Sequence, residues 1–130
     1  EGRPDIFREN AVKYSSEQLQ EILLDQNRPI FVAMDDEGNV QGYAFCIFMQ
    51  TFFNSILTPI KTMYIDDLCV DKNHRGQGIG RELFEHVKYY AKGYECYNLT
   101  LNVWACNKDA IAFYEKMGLA VQRATMEQIL

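Results

Sequence analysis

The chain has 130 residues, 48% of them hydrophobic, with eight Phe, eight Tyr and a net charge of −5. That length suits one domain with a real core, and the aromatic content excludes a disordered chain. The negative balance argues against a nucleic-acid binder that relies on a basic surface, and no apolar run approaches membrane-spanning length.

Residues 1–14 are polar with scattered apolar positions (Ile6, Phe7, Val12) and read as loop or the remnant of a helix. Ser15 and Gln18 have capping-box spacing, and Leu19, Ile22 and Leu23 form the apolar stripe of a helix from about 16 to 24. Pro29 ends that region. Ile30 to Met34 and Val40 to Phe53 read as a hairpin around Asp35-Asp36-Glu37-Gly38-Asn39, whose acids suit a solvated turn better than a metal site. A second turn spans Asn54 to Pro59, and Ile60 to Val70 is the next strand. A glycine-rich loop leads into a helix of about 78 to 92, striped by Ile79, Leu83, Phe84, Val87 and Ala91 and ended by Lys92-Gly93. A strand at 98 to 104, a helix from about 108 to 117 and a strand from about 120 to 130 complete the series. With no repeat or linker, this order predicts a single domain, residues 1–130, built on a mixed α/β (α+β) sheet.

The four cysteines (Cys46, Cys69, Cys96, Cys106) make no Cys-x-x-Cys pair and, with only His74 and His86 besides, no zinc set. Several fall in expected strands, where Cys acts as a small buried hydrophobe. A reduced, cytoplasmic, metal-free protein without a signal peptide is the expectation.

The most informative stretch is Arg75-Gly76-Gln77-Gly78-Ile79-Gly80, at a junction of strand and helix. Glycines there let the backbone curl so that several N–H groups converge, with no Cβ to hold a ligand away. With the positive end of the following helix, this makes an anion cradle suited to a pyrophosphate. It is not a Walker loop, because no Gly-Lys-Ser/Thr follows. It fits a dinucleotide fingerprint poorly, because the third glycine would fall on Arg81. A glycine-rich turn that merely caps a helix is the bland alternative.

The Arg-x-x-Gly-x-Gly spacing of Arg75, Gly78 and Gly80 resembles the acyl-CoA loop of the GNAT superfamily of N-acetyltransferases. Downstream, Asn107, Ala110, Tyr114 and Gly118-Leu119 are similar to that family's C-terminal motif, in the right order. The resemblance covers about Ile30 to Leu130 and implies a GNAT fold. Only about thirty residues precede the first clear strand and residue 1 is Glu1, so the usual first strand and most of the first helix are expected to be missing.

The resemblance implies acetyl-CoA as co-substrate, without a metal. The amides of Gly76, Gln77, Gly78, Ile79, Gly80 and Arg81 would take the pyrophosphate, aided by the side chains of Arg75 and Arg81. Pantetheine would pair like a strand with Leu68, Cys69 and Val70, where two strands must splay apart, commonly through a bulge. The N–H near Leu68 would face the thioester carbonyl. Asn107, with Ala110 in the same motif, would hold the pantetheine arm; an N-cap is the other role for Asn107.

Tyr114 matches the family's general acid for the leaving sulfur, although it also fits an apolar helix stripe with Ala110, Phe113 and Met117. Tyr64-Ile65-Asp66-Asp67-Leu68-Cys69-Val70 resembles the fourth strand of polyamine-type N-acetyltransferases, with Asp66 in place of a glutamate that relays a proton through water. Strand alternation puts Asp66 and Asp67 on opposite faces unless a bulge intervenes. Asp66 could equally be a solvated strand-end carboxylate, or a fixed charge that orients a cationic amine.

The expected reaction is acetyl transfer from acetyl-CoA to a primary amine, small-molecule or protein, by direct attack in a ternary complex. Neither nucleic acid nor membrane is an expected partner, and a homodimer is compatible. The alternatives are another acyl-CoA, an idle CoA-binding domain acting as sensor or interaction module, and, more distantly, a flavin or nicotinamide protein. Cys69 and Cys106 suggest acyl-enzyme chemistry, but no His is placed in sequence to activate either.

Overall fold

The computed structural model describes residues 3, 5, 14–52 and 56–130. The expectations for residues 6–13 (Ile6, Phe7 and Val12 among them) and for the strand end and turn at 53–55 lie outside the described residues. The chain divides into two compact units, residues 10–102 and residues 1–9 with 103–130.

The larger unit holds α1 (Ser16–Leu24), β1 (Ile30–Met34), β2 (Val40–Gln50), β3 (Lys61–Val70), a 3-10 turn (Lys72–His74), α2 (Ile79–Gly93) and β4 (Asn98–Leu101). The strands form one sheet in chain order. β1, β2 and β3 are antiparallel neighbours, and β4 runs parallel to β3 after the α2 crossover. The smaller unit carries α3 (Lys108–Lys116). Within that unit Arg3 bridges Asp5 at 2.9 Å and Glu127 at 2.6 Å.

Local chemistry explains most of these elements. The Ser15 hydroxyl accepts the Gln18 N–H at 3.2 Å while the Gln18 side chain takes the Ser15 N–H at 2.8 Å, completing the capping box. The α1 stripe is narrower than expected, for Ile22 is buried but Leu23 is 70% exposed. In the hairpin, the Asp35 carboxylate accepts the N–H groups of Glu37 and Asn39 at 2.9 and 2.8 Å, and Gly38 supplies a φ of 85°. Those bonds hold Asp35 below the usual carboxylate range. The acids therefore build a turn.

The core lies between α2 and one face of the sheet. Ile79, Leu83, Phe84, Val87 and Ala91 of α2 are buried, as are Ala44 and Cys46 of β2 and Met63 and Ile65 of β3. Full burial of large apolar side chains contributes roughly 1.5–3 kcal/mol each, which is what holds a 15-residue helix on the sheet. Gly42 lets the two layers meet.

β3 carries one extra residue. Phe45 pairs with Asp67 and Cys46 with Ile65, so the ladder register skips Asp66, which forms a bulge. Ile65 and Asp67, two apart, would share a face in a regular strand. Instead Ile65 faces α2 with Cys46, whereas Asp67 lies on the other face with Phe45.

Three strand expectations are corrected. The first is the far end of β2, which stops at Gln50, so that Thr51 and Phe52 are not strand. The strand at 98–104 stops at Leu101, because its ladder with β3 ends at the Ile65–Leu101 pair, where the bulge deflects β3. The strand expected from about 120 to 130 does not form. A strand needs a ladder and a face to bury; that segment joins no sheet, and Val121, Met126 and Ile129 are 81%, 92% and 74% exposed.

The approach at Gly42 can be tested. A Cβ there would sit 2.8 Å from the Cys69 carbonyl oxygen and 3.1 Å from Leu83 Cδ1. Gly42→Ala is expected to lower unfolding free energy by about 1–3 kcal/mol, through overpacking between a backbone and a helix that cannot both yield. Urea denaturation measures it; an unchanged midpoint would show that the layers can part there at no cost.

Candidate active site

β3 ends at Val70, and the chain passes through Lys72–His74 to the glycine loop and α2. His74 Nδ1 lies 2.8 Å from the Asp71 carboxylate, and the His74 N–H donates to the Asp71 carbonyl at 2.8 Å, fixing the turn that starts the loop. Gly76 and Gly78 both have φ of 81°, and a Cβ on either would meet nothing within 4 Å. The curl that the sequence predicts is therefore present, with open space in front of it.

The first intrahelical bond runs from the Glu82 N–H to the Gly78 carbonyl, at 3.0 Å. Helix geometry then leaves the N–H groups of Ile79, Gly80 and Arg81 without an intrahelical acceptor, at the positive end of the α2 dipole. Gln77 and Arg81 are exposed. So is Arg75, whose Nε donates to the Val70 carbonyl at 3.4 Å, tying the loop to the strand end. Helix-end amides without an intrahelical acceptor, exposed guanidinium groups and open space fit a bound pyrophosphate.

Leu68, Cys69 and Val70 pair with Ala44, Tyr43 and Gly42 of β2. On the other side, the ladder to β4 spans only Thr62–Ile65. Side chains stitch the strands together up to that point: Thr62 donates to Asn98 at 2.6 Å and Asn102 to the Tyr64 hydroxyl at 3.2 Å. Beyond it, Asp66 to Val70 have no ladder partner on the β4 side among the described residues. This is the splayed edge that an extended pantetheine arm would need, and it leads into the loop.

The bulge gathers a cluster on the face away from α2. The Tyr14 hydroxyl donates to Asp66 Oδ2. The Tyr14 ring stacks on Phe45, with centroids 5.8 Å apart and planes at 23°. Tyr43 lies 5.1 Å from Phe45 and reaches Asp67 at 3.5 Å. Asp66 and Asp67 thus share one face, which corrects the opposite faces that simple alternation predicts. Desolvation, then the Asp66 carboxylate, pushes the Tyr14 phenol up to about 12. Desolvation, then the charge of Asp67, pushes Tyr43 up to about 12 as well. Neither tyrosine is singled out by the sequence. Tyr14 lies 52 positions from its partner, and the only cue for Tyr43 is its alternation with buried residues on β2.

Cys46 is buried as a small hydrophobe, its thiol pushed up to about 12 by burial and then by Asp66. Cys69 is half-buried and Cys106 exposed, and all four cysteines are free. No group of three or more His, Cys, Asp or Glu gathers as a metal site among the described residues.

In the smaller unit, Asn107 caps α3: its Oδ1 accepts the Ala110 N–H at 3.2 Å. The cap leaves the amide NH2 of Asn107 to serve elsewhere. Tyr114 is half-buried, edge-on to Phe113 at 5.1 Å. Gly118, at φ 99°, ends the helix while the Leu119 N–H donates to the Tyr114 carbonyl at 3.0 Å.

Residues 3–119 match the acetyltransferase (GNAT) family. The chain belongs to that family. It is 34% identical over 115 residues to the peptidyl-lysine N-acetyltransferase YjaB of Salmonella typhimurium, covering 88% of this chain and 66% of that one. It is also 34% identical over 96 residues to a streptothricin acetyltransferase of Streptomyces lavendulae, covering 74% and 47%. The chain thus spans about half to two thirds of the length of these curated relatives. Among solved structures it superposes on a tetramutant of the BH1408 protein of Bacillus halodurans with a TM-score of 0.92 and 34% identity, covering 98% of this chain and 82% of that one. The mixed sheet is therefore a GNAT fold.

Gly78 offers the direct test of the cradle. Gly78→Val should lose measurable CoA binding in calorimetry, because a side chain would fill the open space and a β-branched residue is strained at φ 81°. Binding equal to the parent's would remove the loop from the cofactor site.

Proposed function

We propose that the chain is an acetyl-CoA-dependent N-acetyltransferase acting on a primary amine by direct attack in a ternary complex. The observation that carries this reading is the parting of β3 from β4 after Ile65, immediately before a glycine cradle with open space in front of it. A turn that only capped α2 would not need the strand edge beside it to be left without a ladder.

When bound, acetyl-CoA supplies an activated acyl carbon and a thiolate leaving group. The chain's own residues do the rest. The amides from Gly76 to Arg81 hold the pyrophosphate, with Arg75 and Arg81 adding charge. The backbone of Leu68, Cys69 and Val70 takes the pantetheine amides as a strand would, and the N–H near Leu68 faces the acyl oxygen. Asn107, through its amide NH2, and Ala110 belong with that arm.

The acceptor reaches the protein as an ammonium. With an alkylamine pKa near 10.4, roughly one molecule in 2,500 is free base at pH 7, a handicap of about 4.6 kcal/mol. Asp66 is the group assigned to receive that proton through water, and Tyr114 the group assigned to return one to the sulfur. Asp67, on the same face as Asp66, adds negative charge that favours a cationic acceptor.

The acceptors named for the relatives, peptidyl-lysine and streptothricin among them, differ widely and leave the choice of amine to experiment. No helix among the described residues is long and apolar enough to cross a membrane, and a cytoplasmic enzyme is the setting we propose. An amine panel with acetyl-CoA, following thiol release, tests the whole reading; CoA binding without turnover on any amine would instead favour a sensor or interaction module.

Two variants divide the proton transfers. Tyr114→Phe should lower kcat by roughly ten- to a thousand-fold with little change in acetyl-CoA affinity, since the ring packing survives and only the phenol is lost. A matching loss of thermal stability with full specific activity would make Tyr114 a packing residue. Asp66→Asn should depress the rate near neutrality and recover it toward pH 10, where solvent deprotonates the amine. The bulge removes alternation as a reason to set Asp67 apart, so Asp67→Asn is measured alongside; rescue in both or in neither would take the relay away from Asp66.

A further inference from the structure

We infer that Tyr14 is a positioning residue for the acceptor step, holding the Asp66 carboxylate in place from a seat on the Phe45 ring. The inference rests on the relay role proposed above for Asp66. A bulge residue is displaced from the regular ladder, so the ladder by itself sets the direction of its side chain loosely. Something else must hold a short carboxylate still if it is to pass a proton through one water, because a small misplacement lengthens the relay. Asp, one methylene shorter than Glu, has the less reach to spare.

The structure supplies the hold. The Tyr14 phenol donates to Asp66 Oδ2. Its ring lies nearly parallel to Phe45, which neighbours Asp67 across the β2–β3 ladder, so one aromatic plane ties the phenol to the strand beside the bulge. Tyr14 also immediately precedes the Ser15 cap of α1, so the start of that helix anchors its backbone. Among the described residues its charged surroundings include Asp66, Asp67 and Arg28, and the net effect with desolvation keeps the phenol protonated and donating throughout the neutral range.

The test is a double-mutant cycle of Tyr14→Phe and Asp66→Asn, read as kcat and KM for the best amine of the panel and for acetyl-CoA, with thermal melts alongside. Phenylalanine keeps the stack and removes only the donor. Tyr14→Phe is expected to lower kcat/KM for the amine about ten-fold, the loss of one hydrogen bond to a charged group, with KM for acetyl-CoA unchanged. In the Asp66→Asn background the same change should cost nothing further, because the group it positions is gone.

A second readout is independent of turnover. The ultraviolet difference titration between parent and Tyr14→Phe isolates this phenol, which should ionise near 12 in the parent and lower once Asp66 is Asn, with desolvation, the larger cause, still holding part of the shift. Losses that add in the double variant, or a titration unmoved by Asp66→Asn, would overturn the inference while leaving the relay intact. A silent Asp66→Asn in a turning-over enzyme would overturn the relay itself, and the inference with it.

Discussion

One residue skipped by the ladder register of a ten-residue strand organises the larger unit. Because the β2–β3 register skips Asp66, everything in β3 after it is shifted by half a strand period. Before it, Met63 and Ile65 point into the core; after it, Leu68 and Val70 take over that face. The same step leaves two consecutive carboxylates on the face away from α2. It also ends the parallel ladder with β4 after four pairs, so the sheet divides just where the chain is about to enter the glycine loop. The free strand edge and the carboxylate pair thus both follow from a single insertion in the pairing.

Much of this was legible in the sequence, and the limits are physical. β1 and the cap of α1 were readable because their signals are local: Ser15 and Gln18 lie three apart, and Ile30–Met34 is a compact apolar run. The glycine loop and its helix were readable for the same reason. A bulge near the parting of the strands was expected from the resemblance, but its position was not readable, since Ile65, Asp66 and Asp67 carry no mark of which one β2 will skip; that is decided by how Phe45 and Cys46 settle across from them. Tyr14 was invisible as a functional candidate because its partner lies in another element. The strand expected over 120–130 failed for the complementary reason: Val121, Met126 and Ile129 have strand-like character, but propensity without a partner does not make a strand.

The aromatic seat under the two carboxylates changes how their surroundings should be pictured. Tyr14, Tyr43 and Phe45 form a contiguous set of rings, and each phenol is directed at one acid. Rings exclude water from one side of the carboxylates while hydroxyls replace part of the hydration they lose, so the charges sit in a medium less screening than bulk solvent. Within the proposed reaction, an ammonium that approaches this face would feel a stronger pull than an exposed strand-end acid could exert.

Those phenols also link the fold to alkaline conditions. A free tyrosine releases its proton near 10, whereas Tyr14 and Tyr43 hold theirs to about 12. Between those values the unfolded chain binds fewer protons than the native one, so each rise in pH draws the equilibrium toward the unfolded state. The contribution of the two phenols is complete below about 10 and disappears as the pH climbs through about 12. The contacts that keep these two phenols protonated near pH 7 therefore tie part of the fold's stability to alkaline pH.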